Sequence, residues 1–166
     1  MKRLILASGS PRRKELLQQV NIPFEVKVSS VEETFDENDS PENIAMKLAY
    51  EKAKDVSRIE PSATVLGADT IVVLKNKVLG KPKDESEAYS MLSELSGQTH
   101  HVITGVAIVS NEKEKVFFEK TSVTFYELSK EEIEQYIESK EPMDKAGAYG
   151  IQQVGALFVK KIEGDY

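Results

Sequence analysis

The segment LILASGSPRRKELL, from Leu4 to Leu17, joins an apolar run to a loop of small residues and then to a helical pattern. Ser10 is suited to cap this helix and Pro11 to occupy its first turn. Apolar residues at Leu16, Leu17 and Val20 predict an inward-facing side for the helix. A strand that passes through a glycine-containing loop into a helix is the repeating unit of α/β folds.

Two arginines occupy the first turn of this predicted helix. A helix N-terminus carries partial positive charge, so a cation there is unfavourable by roughly 0.3–1 kcal/mol. Arg12 and Arg13 are better explained if an anion binds, because free backbone N–H groups and paired guanidinium groups form a good receptor for phosphate. A solvated helix end is the alternative interpretation.

Strands and helices continue to alternate along the chain. Helices are predicted to begin at Ser40, Asp84 and Ser129, and strands are predicted at Phe24–Val28, Thr64–Leu74, Val78–Leu79, His101–Val109, Val116–Phe125 and near Ala156–Ile162. Hairpins and crossover connections both occur in this order, which predicts an α/β fold with a mixed sheet flanked by helices. With neither repeats nor a linker, residues 1–166 are expected to form a single domain.

The composition excludes several kinds of catalytic and metal-binding site. The 166 residues contain no cysteine, which excludes thiol nucleophiles, thiolate zinc sites and disulfides. The two histidines, His100 and His101, are neighbours on a predicted strand and should point to opposite faces, which argues against a shared metal site.

The charge balance is acidic. Lys and Arg number 22 against 28 Asp and Glu, for a net charge of −6, which disfavours nucleic acid as a partner. We recognise neither a signal peptide nor a stretch long and apolar enough to span a membrane, so we expect a cytoplasmic protein without a membrane partner.

Asp69 breaks the pattern of the apolar stretch VLGADTIVVL, Val65–Leu74. A buried carboxylate is costly unless it is paired, hydrogen-bonded or coordinated to metal. One interpretation is a metal ligand or general base at the end of a strand, with Thr70 lining the same site. The other is a structural aspartate at a bend beside Gly67.

Three further charged residues invite two interpretations each. Lys52 lies on an apolar helix face, where it either extends past its neighbours to solvent or holds a phosphate. Lys81, between Gly80 and Pro82, is either a phosphate-binding cation or a turn residue. Glu33 belongs to an acidic loop that is either solvated or supplies a second oxygen ligand beside Asp69, since magnesium bound with phosphates needs only one or two carboxylates.

The segment DKAGAYGIQ, Asp144–Gln152, combines small residues with a polar amide. Its small residues would allow the backbone to approach a flat ligand, and Gln152 offers both the donor and the acceptor needed to recognise a base edge. A tight structural turn is the alternative. The chain has no GxxxxGK[ST] or GxGxxG motif, which argues against a P-loop or Rossmann nucleotide site.

Five segments in order resemble the Maf family of nucleoside triphosphate pyrophosphatases, and within it the branch that acts on dTTP and UTP. They are LASGSPRRKELL (Leu6–Leu17), GADTIV (Gly67–Val72), LGKP (Leu79–Pro82), LSGQTHHVITGV (Leu95–Val106) and EPMDKAGAYGIQ (Glu141–Gln152). The resemblance implies an elongated fold shared with inosine triphosphate pyrophosphatases, with two lobes around a central cleft. It also implies a divalent cation, Mg²⁺ or Mn²⁺, and a cytoplasmic homodimer.

The same resemblance implies roles for individual residues. Asp69 corresponds to the catalytic proton acceptor, and Glu33 to an acidic site position that would join it in binding metal. The positions linked to substrate choice are Arg12, Thr70 and Gln152, and those that handle phosphate are Ser8, Arg13, Lys52 and Lys81.

The expected reaction is attack of water on the α-phosphorus, which yields a nucleoside monophosphate and pyrophosphate. The substrate is a normal or a modified pyrimidine nucleotide. A non-enzymatic nucleotide-binding regulator of cell division is the alternative function. Family members continue beyond the equivalent of Tyr166, so a closing strand and helix are expected to be absent from this chain.

Overall fold

The computed structural model describes residues 2–166 and contains four α-helices and seven strands within them. The helices are α1 (Pro11–Gln19), α2 (Pro41–Ile59), α3 (Glu85–Leu95) and α4 (Lys130–Glu138). The strands are β1 (Leu4–Leu6), β2 (Glu25–Val26), β3 (Thr64–Leu74), β4 (Lys77–Leu79), β5 (Thr99–Val109), β6 (Glu114–Phe125) and β7 (Val159–Glu163). None of the helices in residues 2–166 combines the length and the apolar character needed to cross a membrane.

All seven strands belong to one mixed sheet with the order β2-β1-β3-β5-β6-β7, and β4 pairs with β3. Strand β1 runs parallel to β2 and β3, whereas β3 with β4 and β6 with β7 are antiparallel pairs. The predicted α/β class with a mixed sheet is therefore confirmed.

The chain divides into two compact units. The first unit contains Met1–Asp69 and Thr104–Phe118, and the second contains Thr70–Ile103 and Glu119–Tyr166. The single-domain organisation stays a prediction.

Helix α2 provides one side of the core of the first unit. Ser40 caps it, accepting a hydrogen bond from the backbone N–H of Asn43 at 3.2 Å. Its buried residues include the apolar stripe expected from the sequence (Ala45, Leu48, Ala49 and Val56), together with Ile44 and Ala53. Three of them, Ala49, Ala53 and Val56, pack in one cluster with apolar side chains of β1, β3 and β5, so burial of apolar surface fixes α2 on the sheet.

Two glycines allow α2 to lie very close to the sheet. A Cβ atom at Gly67 of β3 would overlap the carbonyl oxygen of Ala49 and lie 2.9 Å from the Cβ of Ala53. A Cβ atom at Gly105 of β5 would likewise overlap the carbonyl of Ala45. The close approach at Gly67 places the turn of α2 that contains Lys52 directly against β3.

The second unit has its own core, which contains residues of α3, α4, the strands β3, β4 and β6, and the Gly-rich segment, residues 145–150. Asp84 caps α3 by accepting from the N–H of Glu87, and Ser129 and Glu132 form a complete capping box on α4. Buried rings of Phe125, Tyr149 and Phe158 pack edge to face within this core.

Two local expectations are wrong, and a third is confirmed without its side-chain hydrogen bond. Helix α1 buries none of its residues, and Leu16 and the following Val20 are 59% and 62% exposed. Ser10 is the N-cap of α1, as expected, but its side chain makes no cap hydrogen bond, and its N–H donates to Ser8 Oγ at 3.2 Å. A short 3₁₀ helix, Val154–Phe158, replaces the start of the last predicted strand, because its backbone turns back on itself before β7 begins.

Candidate active site

Asp69 lies in the interior of β3 and not at its end, which corrects the expected position. Strand β1 ends at Leu6, whose partner on β3 is Leu66, so β3 continues past the carboxyl end of its parallel neighbour. Asp69 follows three residues after Leu66 on this extension and is only 6% exposed. The carboxylate is thus located just beyond the end of β1, where the loop to α1 begins.

Lys52 of α2 binds two carboxylates at once. Its Nζ atom donates to Asp69 Oδ1 at 2.6 Å and lies 2.9 Å from Glu33 Oε1. The side chains of Lys52 and Asp69 are 14% and 9% exposed, whereas that of Glu33 is 48% exposed. Of the two sequence alternatives for Lys52, extension to solvent is wrong, whereas binding of phosphate stays a prediction. The structure adds a pairing of its ammonium group with two acids.

Burial raises the pKa of Asp69 above its ordinary value. The hydrogen bond and positive charge of Lys52 act in the opposite direction, and the nearby negative charge of Glu33 raises the pKa further. A carboxylate with a raised pKa is a stronger base once it is ionised, which suits it to accept a proton from water.

Arg13 connects the loop after β1 to the strand that contains Asp69. Its Nη1 atom donates to Ser8 Oγ at 2.9 Å and to the carbonyl oxygen of Ala68 at 3.1 Å. Burial lowers the pKa of Arg13, and the charge of Asp69 partly offsets that effect. Ser8 is itself buried, so this cation is fixed beside the predicted catalytic acid.

Arg12 adds a second positive charge at the N-terminus of α1. It is half-buried, and its charge is one of the causes that lower the pKa of Arg13. The first turn of α1 contains no acidic residue to balance the pair. This arrangement of cations and helix N-terminus has the character of a receptor for a small polyanion.

Asp55 is a residue of this site that sequence reasoning missed. Its Oδ2 atom accepts hydrogen bonds from Ser29 Oγ at 3.0 Å and from the N–H of Ser30 at 3.1 Å. It thereby attaches the loop that leads to Glu33 to the same helix as Lys52. The only hint in the sequence is its spacing of three residues from Lys52, which places both on one face of a helix.

The remaining predicted residues belong to the second unit. Thr70 follows Asp69 in β3 and is half-buried, while Lys81 and Gln152 are exposed. The N–H of Gly147 donates to the carbonyl of Gly80 at 3.1 Å, which joins the loop of Lys81 to the Gly-rich segment. The structure thus brings Ser8, Arg13, Glu33, Lys52 and Asp69 together in the first unit, and Lys81 and Gln152 lie on connected segments of the second.

Asp69 and Glu33 have the donor atoms that a divalent cation needs. Within residues 2–166 no group of three or more His, Cys, Asp or Glu is arranged to hold a metal ion. The two carboxylates nevertheless converge on one cation, the ammonium of Lys52. Two carboxylate ligands fit magnesium that is bound mainly through substrate phosphates.

Comparisons with known proteins agree on the type of protein. The family model described as Maf-like protein matches residues 3–166. The chain is 59% identical to a dTTP/UTP pyrophosphatase of Bacillus cytotoxicus and 58% identical to one of Bacillus cereus, over its whole length and 87% of each relative. Another protein of that name, from Bacillus mycoides, is 56% identical over the same shares.

A solved structure supports the fold independently. The Ham1 protein of Staphylococcus aureus superposes with a TM-score of 0.52, covering 93% of this chain and 90% of its own. At 16% sequence identity this likeness concerns the fold alone.

Proposed function

Because this chain belongs to the Maf family, we propose that it hydrolyses dTTP and UTP to the nucleoside monophosphate and pyrophosphate. The observation that carries the proposal is the buried carboxylate of Asp69, bonded to Lys52 and placed beside Arg13. Relatives that share more than half of its residues bear the name dTTP/UTP pyrophosphatase.

The proposed reaction is an in-line displacement at the α-phosphorus. Asp69 accepts a proton from water, the water oxygen forms a bond to phosphorus, and the bond from the α-phosphorus to its bridging oxygen breaks. Pyrophosphate takes the electrons of that bond and leaves. Positioning and charge stabilisation account for most of the catalysis of such transfers. The cations proposed to meet the phosphates are Arg12, Arg13, Lys52 and Lys81.

A divalent cation, Mg²⁺ or Mn²⁺, is also part of the proposal. Asp69 and Glu33 would hold it, because both carboxylates already face one cationic position. When bound, such an ion would supply Lewis acidity and neutralise phosphate charge. Lys52 would then keep the two acids close together and limit their mutual repulsion.

Base selection is assigned to Arg12, Thr70 and Gln152. The side-chain amide of Gln152 is exposed and can donate and accept hydrogen bonds at the edge of a pyrimidine. Its position on a segment joined to the loop of Lys81 supports a common role in holding one nucleotide.

We propose that the protein acts in the cytoplasm as a homodimer and does not bind nucleic acid. Exposed apolar side chains at α1 and around β2 support self-association, namely Leu16, Val20, Val26 and Val28. The net charge of −6 argues against nucleic acid.

Product analysis tests the proposal. The purified protein is incubated with Mg²⁺ and, separately, dTTP, UTP, CTP and GTP, and the products are separated by ion-exchange chromatography. We expect UTP to give UMP and dTTP to give dTMP, each with one pyrophosphate released per monophosphate formed. Turnover of CTP and GTP should be slower. Release of UDP and orthophosphate would reject the reaction, and UTP that binds but stays intact would favour the binding-only regulator.

A further inference from the structure

Gln152 is carried by a short loop whose two ends touch. We call residues 150–155 the Gln152 loop. A Cβ atom at Gly155 would overlap the carbonyl of Gly150, so only a glycine allows this closure. The residues between the two glycines are exposed or half-buried, and the loop therefore has no core of its own to fix it.

Two side chains outside the loop bind its ends. The N–H of Gly150 donates to the hydroxyl oxygen of Tyr136 at 3.2 Å. At the other end, Glu141 accepts from Val154 N–H at 3.2 Å through Oε1 and from Gly155 N–H at 3.3 Å through Oε2. Both carboxylate oxygens of Glu141 are thus used by the loop backbone.

Tyr136 and Glu141 are also bonded to each other. The Tyr136 hydroxyl donates to the Glu141 carboxylate, and burial together with this bond raises the pKa of the phenol. The ring of Tyr136 is 2% exposed and packs edge to face on Phe158. A continuous chain of hydrogen bonds therefore runs from one end of the loop to the other through a fixed ring.

Glu141 is fixed in turn from a second direction. Its carbonyl oxygen accepts from Lys145 Nζ at 2.6 Å, and the side chain of Lys145 is only 9% exposed. The alkyl stem of Lys145 fills the space beside Gly150, where a Cβ atom would lie 2.8 Å from Cε. Two of the supporting side chains, Tyr136 and Lys145, are thus buried even though residues 152–154 of the loop are exposed.

We propose that Tyr136 and Glu141 are positioning residues that determine base selectivity by fixing the Gln152 loop. This inference rests on the proposed function, in which Gln152 contacts the pyrimidine. An amide distinguishes bases only if its donor and acceptor are held in one place, and a displacement of about 1 Å can cost 10²-fold in rate. The pair acts through Gln152 and does not itself touch the substrate.

The test compares single and double variants. Glu141→Gln keeps the size of the side chain and weakens its hydrogen bonds with the N–H groups of Val154 and Gly155. Tyr136→Phe removes only the hydroxyl. Each is measured beside Gln152→Ala and the double variant Glu141→Gln/Gln152→Ala. Glu138→Gln, an exposed carboxylate on α4, is the matched control.

The main measurement is the ratio of kcat/KM for UTP to kcat/KM for CTP. We expect Glu141→Gln and Tyr136→Phe to lower this ratio by about tenfold or more. We also expect Gln152→Ala to lower it similarly, the double variant to lose no more than Gln152→Ala alone, and Glu138→Gln to match the wild type. Losses that multiply in the double variant, or a ratio unchanged in both single variants, would overturn the proposal.

Two further readouts separate this inference from the proposed function. Hydrogen exchange at the amides of Gly150, Val154 and Gly155 should be faster in Glu141→Gln, while the melting temperature changes little. Unchanged exchange would contradict the role of Glu141 in fixing the Gln152 loop. If the wild type binds UTP without releasing pyrophosphate, the proposed function fails. The ratio of dissociation constants for UTP and CTP then replaces kcat/KM in the same comparison and decides the positioning role.

Discussion

The ammonium group of Lys52 lies 2.6 Å from Asp69 and 2.9 Å from Glu33, so one cation pairs with two acids from different parts of the chain. Helix α2, strand β3 and the loop after β2 meet at this point. The arrangement explains how a strand surrounded by apolar residues accommodates Asp69, because a buried carboxylate is tolerated when it is paired. It also locates the two acids that we propose to hold a divalent cation.

Replacing Lys52 should expose the metal-binding capacity of the two acids. In Lys52→Gln the neighbouring carboxylates repel each other without a counter-charge, so the protein should be less stable in chelator than the wild type. Mn²⁺ should then raise its melting temperature by several degrees more than that of the wild type, since a ligand that binds only the folded state stabilises it. Differential scanning calorimetry with EDTA or MnCl₂ measures both effects.

Lys54→Gln provides the control for this experiment. Lys54 lies on the same helix but pairs with Glu114 at 2.7 Å, away from Asp69. Its response to Mn²⁺ should equal that of the wild type. An equal response in Lys52→Gln as well would argue against Asp69 and Glu33 as metal ligands.

The close packing of α2 on β3 should make Gly67 intolerant of substitution. In Gly67→Ala the new methyl group would overlap the carbonyl of Ala49, which we expect to cost about 2–3 kcal/mol of unfolding free energy. Gly80→Ala is the control, because nothing lies within 4 Å of its added Cβ. Urea denaturation measures both, and equal midpoints for the two variants would contradict the packing described here.

His100 should make stability depend on pH. It is fully buried, its Nε2 atom lies 2.6 Å from the Tyr149 hydroxyl, and burial lowers its pKa from 6.5 to about 4. Between these two values the unfolded chain binds a proton that the folded chain does not, so stability rises with pH in this window. The neutral state of buried His100 therefore lowers the free energy of unfolding as the pH falls from about 6.5 toward 4. The loss amounts to about 2 kcal/mol between pH 7 and pH 5.

The pH dependence can be assigned by substitution. His100→Phe should lose this part of the slope, whereas His101→Gln, on the half-buried neighbour, should retain it. Chemical denaturation at pH 7, 6 and 5 gives the comparison. A slope in His100→Phe as steep as that of the wild type would assign the effect to other groups.

The sequence predicted the elements whose signals are local. The apolar stripe of α2, the caps at Ser40 and Ser129 and the β-rich run of β3 all follow from short-range patterns, and the structure confirms them. The apolar residues of α1 were misleading, because an amphipathic pattern does not specify whether a partner surface is present. Leu16 and Val20 therefore remain exposed in this chain.

Several residues of the candidate site could be predicted from the sequence, but the contacts between them could not. Asp69 is conspicuous because a charge interrupts an apolar strand, yet its bond to Lys52 depends on the helix crossing that Gly67 allows. Asp55 and Glu141 look like ordinary surface acids in the sequence. Their roles arise from backbone N–H groups that folding brings to them over long or irregular connections.

The most direct measurement is the turnover of UTP by Asp69→Asn. This variant keeps the shape of the side chain and its contact with Lys52 but cannot accept a proton. With Mg²⁺ present we expect kcat for pyrophosphate release to fall by about 10²- to 10⁴-fold while UTP still binds, as judged by calorimetry. Glu114→Gln, an exposed carboxylate of the same unit, should retain wild-type turnover. Pyrophosphate release by Asp69→Asn at the wild-type rate would contradict the central role of this carboxylate.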